Sequence, residues 1–151
     1  PREDPEVSAL VRRALERDGV TVMTGTRALR CERTADLRLL VVAGDDGEES
    51  IAYDQFLCAV GRTSRLEGYG LEDLGIPVGR TLLTDEFMQT RLPNILAAGD
   101  VTGPYQFTHA AAHQAWYATV NALFGGIRRF RADYRVLPWT TFTDPEIARV
   151  G

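Results

Sequence analysis

Apolar residues recur along this chain first at helical spacing and then in short runs divided by polar turns. Asp4-Pro5 reads as an N-cap followed by proline at the first helical position, and Val7, Leu10, Val11, Ala14 and Leu15 then fall on one face. Gly19 ends that helix, and Val20-Thr21-Val22 predicts a short strand after it. From residue 26 to residue 53 the texture becomes β-like, with runs at 27–32, 37–42 and 49–53. Thr34-Ala35-Asp36 and Gly44-Asp45-Asp46-Gly47 separate them, the second being a hairpin signal, so a small antiparallel meander without chemistry of its own is expected.

Phe56-Leu57-Cys58-Ala59-Val60 is a continuous apolar run of the kind expected for a fully buried parallel strand, with Gly61-Arg62 at its carboxyl end. Residues 66–79 are glycine-rich and read as a connecting segment, after which Thr81-Leu82-Leu83 predicts a strand. Ile95, Leu96, Ala97 and Ala98 form a further strand-like run. Gly103-Pro104 then marks a turn, residues 107–124 carry a helical pattern rich in alanine, and Gly125-Gly126 stops it. Helices mixed with buried strands place the chain in the α/β class.

Length and composition narrow the possibilities. The chain has 151 residues, enough for one compact domain, and it opens on Pro1 and closes on Gly151 in a manner expected of a piece of something longer. With 44% hydrophobic and 25% charged residues it is an ordinary globular sequence, and a net charge of -4 argues against nucleic-acid or anionic-membrane partners. No apolar run has transmembrane length and nothing resembles a signal peptide, so a cytoplasmic location is expected. Cys31 and Cys58 are far apart in apolar contexts, which predicts buried, inert thiols in place of a CxxC or CxxxxC redox pair. His109 and His113 read as packing or surface residues, and no group accompanies them to make a triad or metal site.

The chemistry-bearing stretch is Pro93-Asn94-Ile95-Leu96-Ala97-Ala98-Gly99-Asp100. An apolar strand-like run ends there in a glycine and an acid, where open α/β sheets place their ligands. Small side chains at Ala97, Ala98 and Gly99 permit close backbone approach, and Asp100 offers acceptor oxygens to a sugar or polyol hydroxyl. The helix that begins a few residues later can flank the same ligand with its N-terminus.

The passage from Gln89-Thr90 to Asp100-Val101-Thr102-Gly103 resembles a segment of the pyridine nucleotide-disulfide oxidoreductases. So do the opening helix with its Gly19-Val20, the Ala59-Val60-Gly61-Arg62 element, Gly70-Leu71-Glu72-Asp73-Leu74-Gly75-Ile76-Pro77-Val78, and Phe142-Thr143-Asp144-Pro145-Glu146-Ile147-Ala148-Arg149-Val150-Gly151. Gln106-Phe107 before the alanine cluster is similar to the mercuric reductase branch, and His109 to the dihydrolipoyl dehydrogenase branch. Ser64-Arg65 departs from the family's usual Pro-Asn after the Gly-Arg pair.

The resemblance implies FAD and NAD(P)H as cofactors, with hydride passing from nicotinamide to flavin and on to a disulfide, a metal ion or another acceptor. It implies that Gly99 and Asp100 meet the ribityl chain of FAD, that Gln106, Phe107, Thr108 and His109 bring a helix start to the pyrimidine side of the flavin, and that Gly61 and Arg62 lie towards the nicotinamide nucleotide. Gly61 reads equally as a turn glycine with positive φ, and Arg62 also as a surface ion-pair residue. The implied architecture is the C-terminal part of a Rossmann-like NAD(P)H-binding domain with a β-meander (1–64), the C-terminal part of a FAD-binding domain (65–130), and the start of an α+β dimerisation domain (131–151) of a homodimer. Trp139 and Phe142 belong either to an interface surface or to a local core. No catalytic residue is expected within the chain. A family member without the cysteine pair, such as a transhydrogenase, and a non-catalytic nucleotide-binding or assembly module are the alternatives.

Overall fold

The computed structural model describes residues 3–150. They fall into two compact units, one reaching to Val60 and including Phe142–Ile147, the other comprising Gly61–Thr141 and the residues from Ala148 onward. The elements in chain order are α1 (Pro5–Arg17), β1 (Arg27–Arg33), β2 (Arg38–Gly44), β3 (Gly47–Ala52), α2 (Thr108–Phe124), β4 (Pro138–Thr141) and β5 (Ile147–Val150). Among the described residues, no helix is long and apolar enough to cross a membrane.

In the first unit α1 starts as its sequence predicts, with Asp4 at the N-cap and Pro5 at the first helical position, although the Asp4 side chain makes no cap hydrogen bond. Of its apolar face Ala14 is buried, while Leu10 is 42% exposed. The helix ends in a Schellman turn: Gly19 takes φ +87°, its N–H donates to the Glu16 carbonyl at 3.0 Å, and the Val20 N–H donates to Leu15 at 3.0 Å. The meander forms as an antiparallel sheet in the order β1-β2-β3. A two-residue turn at Asp45-Asp46 sets Gly44 opposite Gly47, whose φ of +107° is readily accessible only to glycine. Val41 and Val42 on the central strand are both buried, so both faces of β2 are covered.

Three expectations for this unit fail. Val20-Thr21-Val22 forms no strand. The run from Phe56 to Val60 is not a buried parallel strand either: it has no ladder partner among the described residues, and Leu57 and Val60 are 89% and 88% exposed. Extended backbone becomes sheet only when a neighbour supplies hydrogen bonds, which an apolar run cannot guarantee by itself. The cysteines follow suit, Cys31 and Cys58 both being exposed free thiols.

The second unit is built around Leu66, Leu71, Ile76 and Leu82, with Leu92, Ile95, Ala97 and Val101 packed against them. The glycine-rich segment read as a plain connection thus furnishes most of this core. Ile95 and Ala97 turn inward with the period of a strand, yet residues 95–98 form only one antiparallel bridge, Gln89 with Leu96, and the strand expected at Thr81-Leu82-Leu83 is one bridge between Val78 and Leu82. The local periodicity is right, but the ladders that would extend these runs are missing among the described residues.

Helix α2 starts at Thr108, one residue later than the apolar pattern, with Phe107 as its N-cap. Its buried residues are Ala110, Gln114 and Asn121. The Asn121 amide donates to the carbonyls of Phe87 at 3.0 Å and Phe130 at 2.8 Å, and its oxygen accepts from the Phe130 N–H at 2.8 Å. The return segment is also held by the Arg129 and Arg131 guanidinium groups, 4.8 and 5.9 Å from the Phe87 ring centroid, and by the Ala132 N–H donating to Glu86.

Replacing Asn121 with Leu should destabilise the fold by about 2–4 kcal/mol, because it strands three backbone groups in a half-buried place. Urea unfolding checks this, and a midpoint equal to that of the unchanged protein would show that water replaces the side chain at no cost. A second expectation concerns Asp133. Hydrogen bonds from Arg135 hold its carboxyl at about 2, below the ordinary 3.8. A depressed carboxylate contributes stability above its unfolded value, and that contribution is lost as pH falls from about 3.8 through about 2. Arg135→Ala should return the carboxyl towards 3.8, read by NMR titration of the Asp133 side chain.

Candidate functional site

The second unit turns at Gly99-Asp100. Gly99 is buried at φ +88°, and a Cβ on it would lie 3.4 Å from the Ala111 Cβ of α2, so both backbone geometry and space select glycine. Its N–H donates to Gln114 Oε1 at 2.6 Å. Its carbonyl accepts from the Thr102 N–H and the Thr102 hydroxyl, each at 2.9 Å, and that hydroxyl also lies 3.2 Å from Gln114 Oε1. On the far side of the turn the Val101 carbonyl accepts from the Leu82 N–H at 2.7 Å. Gly103 closes the loop at φ +49°, where a Cβ would meet the Thr81 Cγ2 at 2.9 Å.

This packing leaves the Asp100 side chain 41% exposed, with Oδ2 3.6 Å from Arg62 Nη1. The Ser64 hydroxyl donates to the Asp100 carbonyl at 2.8 Å. The loop after Gly61 is therefore joined to the Gly99-Asp100 turn at two points, bringing Arg62 and Asp100 together from positions far apart in sequence. Arg62 itself is 74% exposed in its side chain, so the pair is a solvent-screened one. Gly61 has φ +122° and open space where a Cβ would be, so its conformation, not crowding, calls for glycine.

Gln106 and Phe107 are half-buried, and Thr108 and His109 are exposed on the first turn of α2. No side chain caps that helix start and no acid lies in its first turn, which leaves the positive end of the helix dipole available to a polarised group. Phe107 stacks near-parallel with His109 at 5.4 Å and 7° and with Trp139 at 6.0 Å and 13°, and the Arg149 guanidinium lies 5.2 Å from the Trp139 ring centroid. Trp139 is thus packed locally, while Phe142 is 84% exposed. His113 engages the Asp133 carbonyl through Nε2 at 2.8 Å and meets the edges of Tyr117 and Tyr134. Burial raises the Tyr134 phenol above its ordinary value, with a hydrogen bond from Gln114 acting the other way. Among the described residues, no group of three or more His, Cys, Asp or Glu side chains could hold a metal ion.

Sequence reasoning picked out the acid and the helix but missed Ser64, Thr102 and Gln114, which shape the turn. The available signal was Gln114 itself, a polar residue four positions after Ala110 on the small-residue face of α2.

Comparison with known proteins matches residues 1–115 to the family model for pyridine nucleotide-disulphide oxidoreductases. The chain is 38% identical to a mercuric reductase of Streptomyces lividans, with 99% of this chain and 32% of that protein covered. It is 39% identical to a dihydrolipoyl dehydrogenase of Thermus scotoductus, with 100% of this chain and 33% of that protein covered. Among solved structures, LpdA from Mycobacterium tuberculosis superposes with a TM-score of 0.86 at 31% identity, over 100% of this chain and 32% of that one. The HOCl-induced flavoprotein disulfide reductase RclA from Escherichia coli gives 0.86 at 27% identity, over 100% and 34%. The chain spans about a third of the length of the relatives it matches. With most of its length matched by the family model, this chain belongs to the pyridine nucleotide-disulphide oxidoreductases.

Proposed function

We propose that the chain is part of a longer FAD-dependent, NAD(P)H-oxidising enzyme, and that the Gly99-Asp100 turn with the start of α2 forms its flavin-facing segment. The observation that carries this reading is the combination in one loop of a buried positive-φ glycine, a half-exposed carboxylate and an uncapped helix start. Those features suit a polyol chain running into a polarised ring: Asp100 accepts hydrogen bonds from hydroxyls, Gly99 lets them come close, and α2 favours negative charge developing beside its first turn. When bound, flavin would supply the redox chemistry, hydride transfer from the nicotinamide and onward electron transfer to a disulfide, a metal ion or another small acceptor. The protein's part is to orient that group and tune its electronics.

Within this reading Gln106, Phe107, Thr108 and His109 line the flavin side, while Gly61 and Arg62 lie towards the nicotinamide nucleotide. Residues 1–64, 65–130 and 131–151 are then the later part of the NAD(P)H domain, the later part of the FAD domain and the start of the dimerisation domain of a homodimer. The exposed apolar run from Phe56 to Val60 is in keeping with a strand whose sheet neighbours lie elsewhere in such a protein. Two exposed unpaired thiols suit a reducing, cytoplasmic setting.

Asp100→Ala in the full-length flavoprotein should weaken FAD binding roughly tenfold to a hundredfold, since a hydrogen bond to a charged acceptor contributes about 1.5–3 kcal/mol. Equilibrium reconstitution of the apoprotein measures it, and unchanged affinity would remove Asp100 from the site. The 151-residue chain alone carries neither a GxGxxG phosphate loop nor a CxxxxC pair. Purified by itself it should be colourless and fail to oxidise NAD(P)H with added FAD; a yellow, active sample would show that these elements are dispensable.

A further inference from the structure

Gln114 is 1% exposed, although it is a full-length polar side chain in the middle of α2. Burying an amide is costly unless its donor and acceptor are both engaged. Its acceptor is engaged twice: Oε1 receives the Gly99 N–H at 2.6 Å and lies 3.2 Å from the Thr102 hydroxyl, and the Tyr134 phenol lies beside the same side chain. Tyr134 is in turn packed on Tyr105 at 5.1 Å and directed at the Met88 sulfur at 3.7 Å.

We propose that Gln114 is a positioning residue for flavin binding: it sets the Gly99-Asp100 peptide from behind, so that the Asp100 carboxylate is presented outward. This rests on the flavin reading of Asp100. The geometry leaves little else to do the task. The Gly99 N–H points into α2, and Gln114 is the acceptor that receives it. The Gly99 carbonyl is tied to Thr102, whose hydroxyl shares the same acceptor, so the amide and the two ends of the turn form one closed set of bonds. Removing the acceptor leaves a buried N–H unpaired, which the turn relieves by rotating its peptide, and rotation about Gly99 redirects Asp100. Gln114 does this without touching the ligand.

The test compares Gln114→Leu, Gln114→Glu and Asp100→Ala in the full-length flavoprotein, with folding followed by circular dichroism and FAD affinity by flavin fluorescence. Gln114→Leu, which keeps bulk but loses the acceptor, should weaken FAD by about tenfold. Gln114→Glu at pH 8 keeps an acceptor for Gly99 and Thr102 and should recover most of that loss, which a requirement for packing alone would not produce. Amide hydrogen exchange without flavin gives a second reading, with Gly99 protected in the unchanged and Glu proteins and fast in the Leu protein. A folded Gln114→Leu protein with unchanged FAD affinity overturns the proposal. Should that variant not fold, Thr102→Val decides, because it removes the hydroxyl that completes the set; weaker FAD binding supports the proposal and unchanged binding overturns it. If Asp100→Ala also leaves affinity intact, the flavin reading of Asp100 itself falls; if Asp100→Ala loses FAD and Gln114→Leu does not, only the positioning role falls.

Discussion

A buried backbone group must be paired, and in residues 61–137 of this protein no sheet does the pairing. That constraint shapes the second unit. Its loops carry the core residues Leu66, Leu71, Ile76 and Leu82, so their peptides lie close to the interior, and turn bonds and isolated bridges pair them in place of a ladder. Side-chain amides projecting from α2 pair further backbone groups. Gln114 and Asn121 stand two turns apart on one face, the first holding the Gly99 turn and the second joining Phe87 to Phe130. The helix thus ties the Gly99 turn and the Phe87 and Phe130 segments to one face.

The same arrangement explains why the candidate site has its particular form. A turn pinned through its backbone can leave its side chain to solvent, and Asp100 is the residue so released. Ser64 holds the Asp100 carbonyl, and the Leu82 N–H holds the next one. The carboxylate therefore emerges from a segment whose three carbonyls are already engaged, which is the preorganisation that a binding group needs. Arg62 stands opposite it with most of its own surface in water.

Exposure in the first unit has a different origin. The meander is self-sufficient: its turn chemistry, register and central valines all lie within one short stretch, so local rules specify it. The apolar run that follows has no such neighbours, and Leu57 and Val60 face solvent among the described residues. Cys58 lies in this run, and its exposure follows from the same lack of partners.

What the sequence by itself determined was whatever depends on near neighbours: the proline-started helix and its Gly19 stop, the Gly44–Gly47 hairpin, the alanine-rich α2, and the glycine-acid pair after a small-residue run. These follow from backbone dihedrals and side-chain periodicity, which are set within a few residues. Only the tertiary structure decided which apolar runs find a ladder, that the glycine-rich segment 66–79 is core material, and that Ser64, Thr102 and Gln114 surround the Gly99 turn. Those outcomes depend on contacts spanning 12 to 36 positions, as in the bonds Thr102 to Gln114 and Ser64 to Asp100. The physical reason is that a polar side chain reads as surface in sequence, and only the partner that satisfies it, brought near by the fold, makes its burial affordable.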